Sequence, residues 1–185
     1  MQLTQLRGRF HKSIKPFTSF LIRHGVNPNV VTSTSLILMV PTSYFLIKGE
    51  EELFISLFII VAFLDALDGA IAENEDAKTK FGAFYDAFAD RIVEGMLYLF
   101  LAISYSHLMA VCFITLILSY LVSYSAAWHK ELKSIGIGKR AYRLFIFIVA
   151  FIVHQLFYGL ILISLLAGIT IIQRLYHVTR NYKEL

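Results

Sequence analysis

Charge is scarce in this chain. Asp, Glu, Lys and Arg make up only 16% of 185 residues, while 57% are hydrophobic and the mean hydropathy is +0.66. Soluble domains of this size carry about a quarter charged residues, so the composition points away from a water-soluble globule and toward an integral membrane protein. Cysteine is nearly missing. Cys112 stands alone, which excludes a disulfide framework and reads as a small buried packing residue. Acid is absent from residues 1–24. That stretch also lacks a clean apolar core followed by a small-residue cleavage site, so no cleavable signal peptide is expected. There is no internal repeat and no low-complexity tract.

What is present is long apolar sequence. Six segments approach the roughly twenty residues that a bilayer demands: about Val30–Ile47, Leu53–Ala72, Phe81–Ser104, Leu108–Trp128, Leu144–Leu156 extended at its ends, and Tyr158–Tyr176. The last two are separated by a short turn placed between Gln155 and Gly159. Pro41 falls inside the first segment and is expected to kink it.

Loop charge orients these spans. Residues 1–24 hold Arg7, Arg9, Lys12, Lys15 and Arg23. The next loop holds Lys48 with Glu50, Glu51 and Glu52. The loop after the fourth segment holds Lys130, Lys133, Lys139, Arg140 and Arg143 against Glu131, and the tail holds Arg174, Arg180 and Lys183. Basic and non-basic loops alternate, as six spans with both termini in the cytoplasm require. The expected fold is therefore all-α and multi-pass in the cell membrane: an N-terminal amphipathic helix over 1–24, then a six-helix transmembrane domain over 25–185. Within residues 1–24, Leu3, Leu6, Phe10, Ile14, Phe17 and Leu21 recur at steps of three or four, with Arg7, Arg9 and Lys12 between them. This reads as a helix lying on membrane lipids and broken near Pro16. Its apolar face argues against nucleic acid as a partner.

Four carboxylates stand out within the apolar sequence. Asp65 and Asp68 are three apart, and Asp86 and Asp90 are four apart, so each pair shares one helix face. Ionised carboxylates in such surroundings are costly unless they pair, face a cavity or bind metal. Two such faces brought together suit two hard divalent cations. The alternatives are structural carboxylates or an ion pathway in a transporter.

The residues around them carry a pattern: Asp65, Asp68, Gly69, Ala72, then Gly82, Asp86 and Asp90. It resembles the signature of the CDP-alcohol phosphotransferase family, D-x2-D-G-x2-A-R-x8-G-x3-D-x3-D. Every fixed position matches over 26 residues except Glu73, which stands where the family has arginine. The resemblance implies metal binding by Asp65, Asp68, Asp86 and Asp90, with Asp90 also the catalytic base. It implies two Mg²⁺ or Mn²⁺ ions as cofactor. It implies a CDP-lipid site at Asn29, Val30, Val31, Thr32, Gly69, Glu73, Thr79 and Gly82, where Pro28-Asn29-Val30-Val31-Thr32 matches a family element opening the first span. Asn or Thr at such a place also reads as a helix cap.

Within the family, the chain is most similar to phosphatidylinositol-phosphate synthases and their archaeal ether-lipid counterparts. Thr79-Lys-Phe-Gly-Ala-Phe-Tyr-Asp86-Ala-Phe-Ala-Asp90-Arg91 resembles TxFGAxxDxxxDR, Lys139-Arg140-Ala141-Tyr142-Arg143 resembles ERxER, and Gln173-Arg174-Leu175 resembles QRL. That subgroup's basic residues at these places imply acceptor-phosphate binding by Arg140, Arg143 and Arg174, and guanidinium forks suit a phosphate dianion. Ala126 and Trp128 replace two cations of a further subgroup stretch, YxKARAE. The expected reaction moves a phosphatidyl-type group, diacyl or archaeal dialkyl, from a CDP-lipid to an alcohol, foremost inositol phosphate, releasing CMP. Glycerol phosphate, serine or free inositol are the alternative acceptors, and a non-catalytic or transport protein is the alternative class. Family members are often homodimers, an expectation carried over with the rest.

Overall fold

Apolar sequence without regular breaks forms helices, because in lipid only a helix satisfies its own backbone within one segment. The computed structural model describes residues 27–72, 79–128 and 131–181, and over these it is helical throughout. The amphipathic helix expected over 1–24 and Glu73 lie outside the described residues. The helices are α1 (Pro28–Ile47), α2 (Glu51–Ala72), α3 (Lys80–Ser104), α4 (Met109–Trp128), α5 (Arg140–Ile152) and α6 (Leu156–Arg180). Short 3-10 turns at Ser106–Leu108 and Glu131–Lys133 flank α4.

Four of them, α1, α2, α4 and α6, are long and apolar enough to cross a membrane. Their outer faces are apolar as well: Ile37, Phe113, Leu165 and Ile172 are exposed. Helices that are apolar on all sides belong in lipid, so this is a multi-pass membrane protein. The other two expected spans are less regular. The interior of α3 carries Asp86, Asp90, Arg91 and Glu94. At 13 residues, α5 is about 20 Å long, against a hydrocarbon core of about 30 Å.

Pro41 lies inside α1, which runs on to Ile47 as expected. One boundary differs from expectation, for a physical reason. The turn before α6 comes at 153–155, earlier than expected. His154 takes a left-handed φ of 54°. Its N–H donates to the Phe151 carbonyl, and that of Gln155 to the Ala150 carbonyl. This is a Schellman closure built on histidine where glycine is usual. The nearby glycine, Gly159, lies inside α6 instead. A Cβ there would come within 2.3 Å of the Ala150 Cβ, so it serves close packing of α5 on α6.

The described residues fall into two units, one made of those up to Phe45 with those from Glu52 to Val93, the other of Leu46–Glu51 with those from Glu94 on. The first buries Met39, Phe54, Phe58 and Ile71. In the second, α6 packs on both α4 and α5, burying Cys112, Phe147, Leu160 and Ile163. Cys112 is a free buried thiol, as its setting predicted.

Candidate metal and nucleotide site

The first unit brings Asp65 and Asp68 from α2 together with Asp86 from α3. One carboxylate oxygen of each lies within 4.8 Å of the others. Asp65 and Asp86 are half-buried, and Asp68 is 2% exposed. Asp68 Oδ2 accepts a 2.6 Å hydrogen bond from Thr32 Oγ1. Asp68 Oδ1 is buried and has no hydrogen-bond partner among the described residues. Three carboxylate oxygens this close, in a cluster that includes the buried Asp68, repel strongly at low dielectric unless a cation lies among them. The donor set is all hard carboxylate oxygen, so the residues fit a hard divalent ion. Asp90 lies one helical turn past Asp86 and outside this three-carboxylate group. Its Oδ2 is 3.8 Å from Arg91 Nη1.

Residues expected at the CDP-lipid site divide clearly. Asn29, Thr79 and Gly82 come together. A Cβ on Gly82 would sit 2.9 Å from Thr79 Oγ1 and 3.1 Å from Asn29 Oδ1. Thr79 also caps α3, its Oγ1 accepting from Gly82 N at 2.9 Å. Capping of α1 falls to Asn27, whose Oδ1 accepts from Asn29 N, with Pro28 at the first helical position, where its missing N–H costs nothing. Asn29 therefore does not supply the cap oxygen. Thr32 stands beside the carboxylates through Asp68. A Cβ at Gly69 would meet nothing within 4 Å among the described residues. Val30 points outward and Val31 packs into the core. Sequence reasoning passed over Ser33 and Tyr85, whose hydroxyls pair at 2.8 Å and link α1 to α3.

The three expected acceptor arginines lie in the second unit. Arg140 is half-buried at the first turn of α5. Arg143 is buried. Its Nε and Nη2 donate to Glu94 Oε1 at 3.1 and 2.8 Å, Nη2 donates to Oε2 at 3.1 Å, and Nη1 donates to the Gly138 carbonyl at 2.7 Å. Arg174 is buried too. It donates to the Ile135 carbonyl at 3.1 Å, to Ser125 Oγ at 2.8 Å and to the Val122 carbonyl. Glu94 escaped the sequence reading because it lies beyond the signature. The signal was there: it continues the four-residue step of Asp86 and Asp90 within apolar sequence.

Comparison with known proteins adds to this geometry. The profile of the CDP-alcohol phosphatidyltransferase family matches residues 25–173. Archaetidylinositol phosphate synthase of Pyrococcus horikoshii is 31% identical over 184 residues, covering 97% of each chain. Phosphatidylinositol phosphate synthase of Mycobacterium tuberculosis with CDP-DAG bound superposes with a TM-score of 0.72 at 27% identity, covering 87% of this chain and 90% of that one. The same enzyme in complex with manganese and citrate gives 0.72 at 28% identity, covering 88% and 87%. A carboxylate cluster fit for a divalent ion and a match over most of the chain lead to one conclusion: this protein is a member of the CDP-alcohol phosphatidyltransferase family.

Proposed function

We propose that the chain transfers a phosphatidyl-type group, diacyl or dialkyl, from a CDP-lipid to inositol phosphate, releasing CMP. The observation that carries the chemistry is the convergence of Asp65, Asp68 and Asp86, with Asp68 buried and its Oδ1 without a hydrogen-bond partner among the described residues. The acceptor rests on similarity to archaetidylinositol and phosphatidylinositol phosphate synthases over most of the chain. In this reading Asp65, Asp68, Asp86 and Asp90 hold two Mg²⁺ or Mn²⁺ ions, which would supply charge neutralisation to the pyrophosphate and to departing CMP.

The protein's own residues do the rest. Asn29, Thr79 and Gly82 receive the nucleotide, Gly69 lets it approach the α2 backbone, and Thr32 orients Asp68. The Asp90 carboxylate takes the proton from an inositol hydroxyl. The freed oxygen attacks the β-phosphorus of the CDP-lipid, the bond from that phosphorus to the bridging oxygen breaks, and CMP carries the bridging oxygen away. Arg140 meets the acceptor's phosphate, while Arg143, whose fork Glu94 fills, and Arg174, bonded through Nε to the Ile135 carbonyl, hold the segment that carries it. Membrane placement follows the same reading: α3 and α5 complete six spans, and the alternating loop charge puts both termini on the cytoplasmic side.

The deciding experiment measures CMP release by purified protein in divalent metal. CDP-lipid is paired in turn with inositol phosphate, free inositol, glycerol phosphate and serine. Release with inositol phosphate above the others is the expected result. Release with another acceptor reassigns the substrate, and release with none overturns the enzymatic reading.

A further inference from the structure

We propose that Glu94 is a positioning residue for acceptor recognition, acting on Arg140 through Arg143 and Gly138. The inference rests on the phosphorylated-acceptor reading above.

The segment entering α5 is held at several points, by α6 and by α5 itself. Arg174 Nε binds the Ile135 carbonyl at 3.1 Å. The Gly138 N–H donates to Thr170 Oγ1 at 2.8 Å. The Gly138 carbonyl accepts from Arg143 Nη1 at 2.7 Å. The two glycines make this approach possible. Gly136 has φ of +105°, and a Cβ on it would overlap Thr170 Cγ2 at 2.2 Å. A Cβ on Gly138 would come within 2.6 Å of the Leu166 carbonyl oxygen. The backbone two residues before Arg140 is thus bonded through both its N–H and its C=O.

Glu94 sets the direction of the last of these bonds. A guanidinium is a rigid planar fork, so fixing two of its nitrogens fixes the third. The Glu94 carboxylate occupies Nε and Nη2 of Arg143, which leaves Nη1 aimed at the Gly138 carbonyl. The side chains of Arg143 and Glu94 are 1% and 2% exposed. With a carboxylate in its fork, Arg143 has no donor edge for a substrate phosphate unless Glu94 is displaced. Its effect on the acceptor is therefore indirect. It pins Gly138, and with it the first turn of α5, where Arg140 stands.

The test uses the enzyme and three variants: Glu94→Gln, Glu94→Asp, and the double substitution Glu94→Leu with Arg143→Met. The amide keeps the shape and loses the charge. The apolar pair removes the latch without leaving a buried charge unpaired, a replacement that folded proteins commonly tolerate. KM values for inositol phosphate and for CDP-lipid are measured by CMP release, together with thermal midpoints. The expected result is an acceptor KM raised about 10- to 100-fold, the scale of a misplacement of about 1 Å, with donor KM and kcat nearly unchanged. Glu94→Asp, which keeps the charge, should recover part of the loss. If donor and acceptor KM shift together, or kcat alone falls in proportion to folded protein, the role is structural only and the inference is overturned. An unchanged acceptor KM in the double variant overturns it equally, whatever the folding of Glu94→Gln. Wild-type enzyme that uses free inositol as well as its phosphate overturns the acceptor reading itself, and this inference with it.

Discussion

Thr32 on α1 donates a 2.6 Å hydrogen bond to Oδ2 of Asp68 on α2, within the buried part of the carboxylate cluster. The other oxygen of Asp68 is buried and has no hydrogen-bond partner among the described residues. A hydroxyl from one helix thus sets the direction of a carboxylate on the next, the role that outer partners play for metal ligands.

Thr32→Val is expected to keep the fold of α1 while weakening divalent-metal binding about 10- to 100-fold, the usual cost of losing such a partner. Calorimetric titration with Mn²⁺ reads this directly. Affinity equal to wild type means that Thr32 does not orient Asp68 for metal.

Asp90 and Asp68 should separate turnover from binding. Asp90→Asn should retain most CDP-lipid affinity and lose about 10²–10⁴-fold in rate, because an amide cannot accept the acceptor's proton. Asp68→Ala should abolish metal-dependent binding of CDP. Turnover near wild type in the first variant removes Asp90 from the role of base, and unchanged CDP affinity in the second removes Asp68 from the metal site.

Gly82→Ala places a methyl group 2.9 Å from Thr79 Oγ1 and 3.1 Å from Asn29 Oδ1. Both groups must move, which weakens the cap on α3 by about 1 kcal/mol and disturbs the proposed nucleotide contacts. The expected outcome is a raised KM for CDP-lipid with an unchanged KM for the acceptor. Measuring both constants on the same preparation settles it.

Single-cysteine labelling in a Cys112→Ser background checks the topology. Cysteine placed at Lys183 should react only from the cytoplasmic side, and cysteine at Glu50 only from outside. The basis is the alternation of basic and non-basic loops. External labelling at 183 breaks the six-span arrangement.

The helical class, the four long apolar helices and the helix-face pairing of the carboxylates were legible in the sequence because they depend on local spacing. Residues three or four apart share a helix face whatever the helix packs against, so the pairing of Asp65 with Asp68 needs no tertiary information. The same holds for the apolar runs, since backbone groups in lipid can be satisfied only within a helix or a closed barrel. Tertiary structure decided what each long polar side chain touches. Arg143 reads from the sequence as one of several cytoplasmic cations, yet its fork is filled by Glu94, 49 residues earlier. Thr32 reads as part of a lipid-nucleotide element, yet it binds Asp68, 36 residues later. The His154 turn carries no glycine to announce it. A hydrogen bond between distant residues is set by how helices pack, and one helix's periodicity holds no record of its neighbour's register.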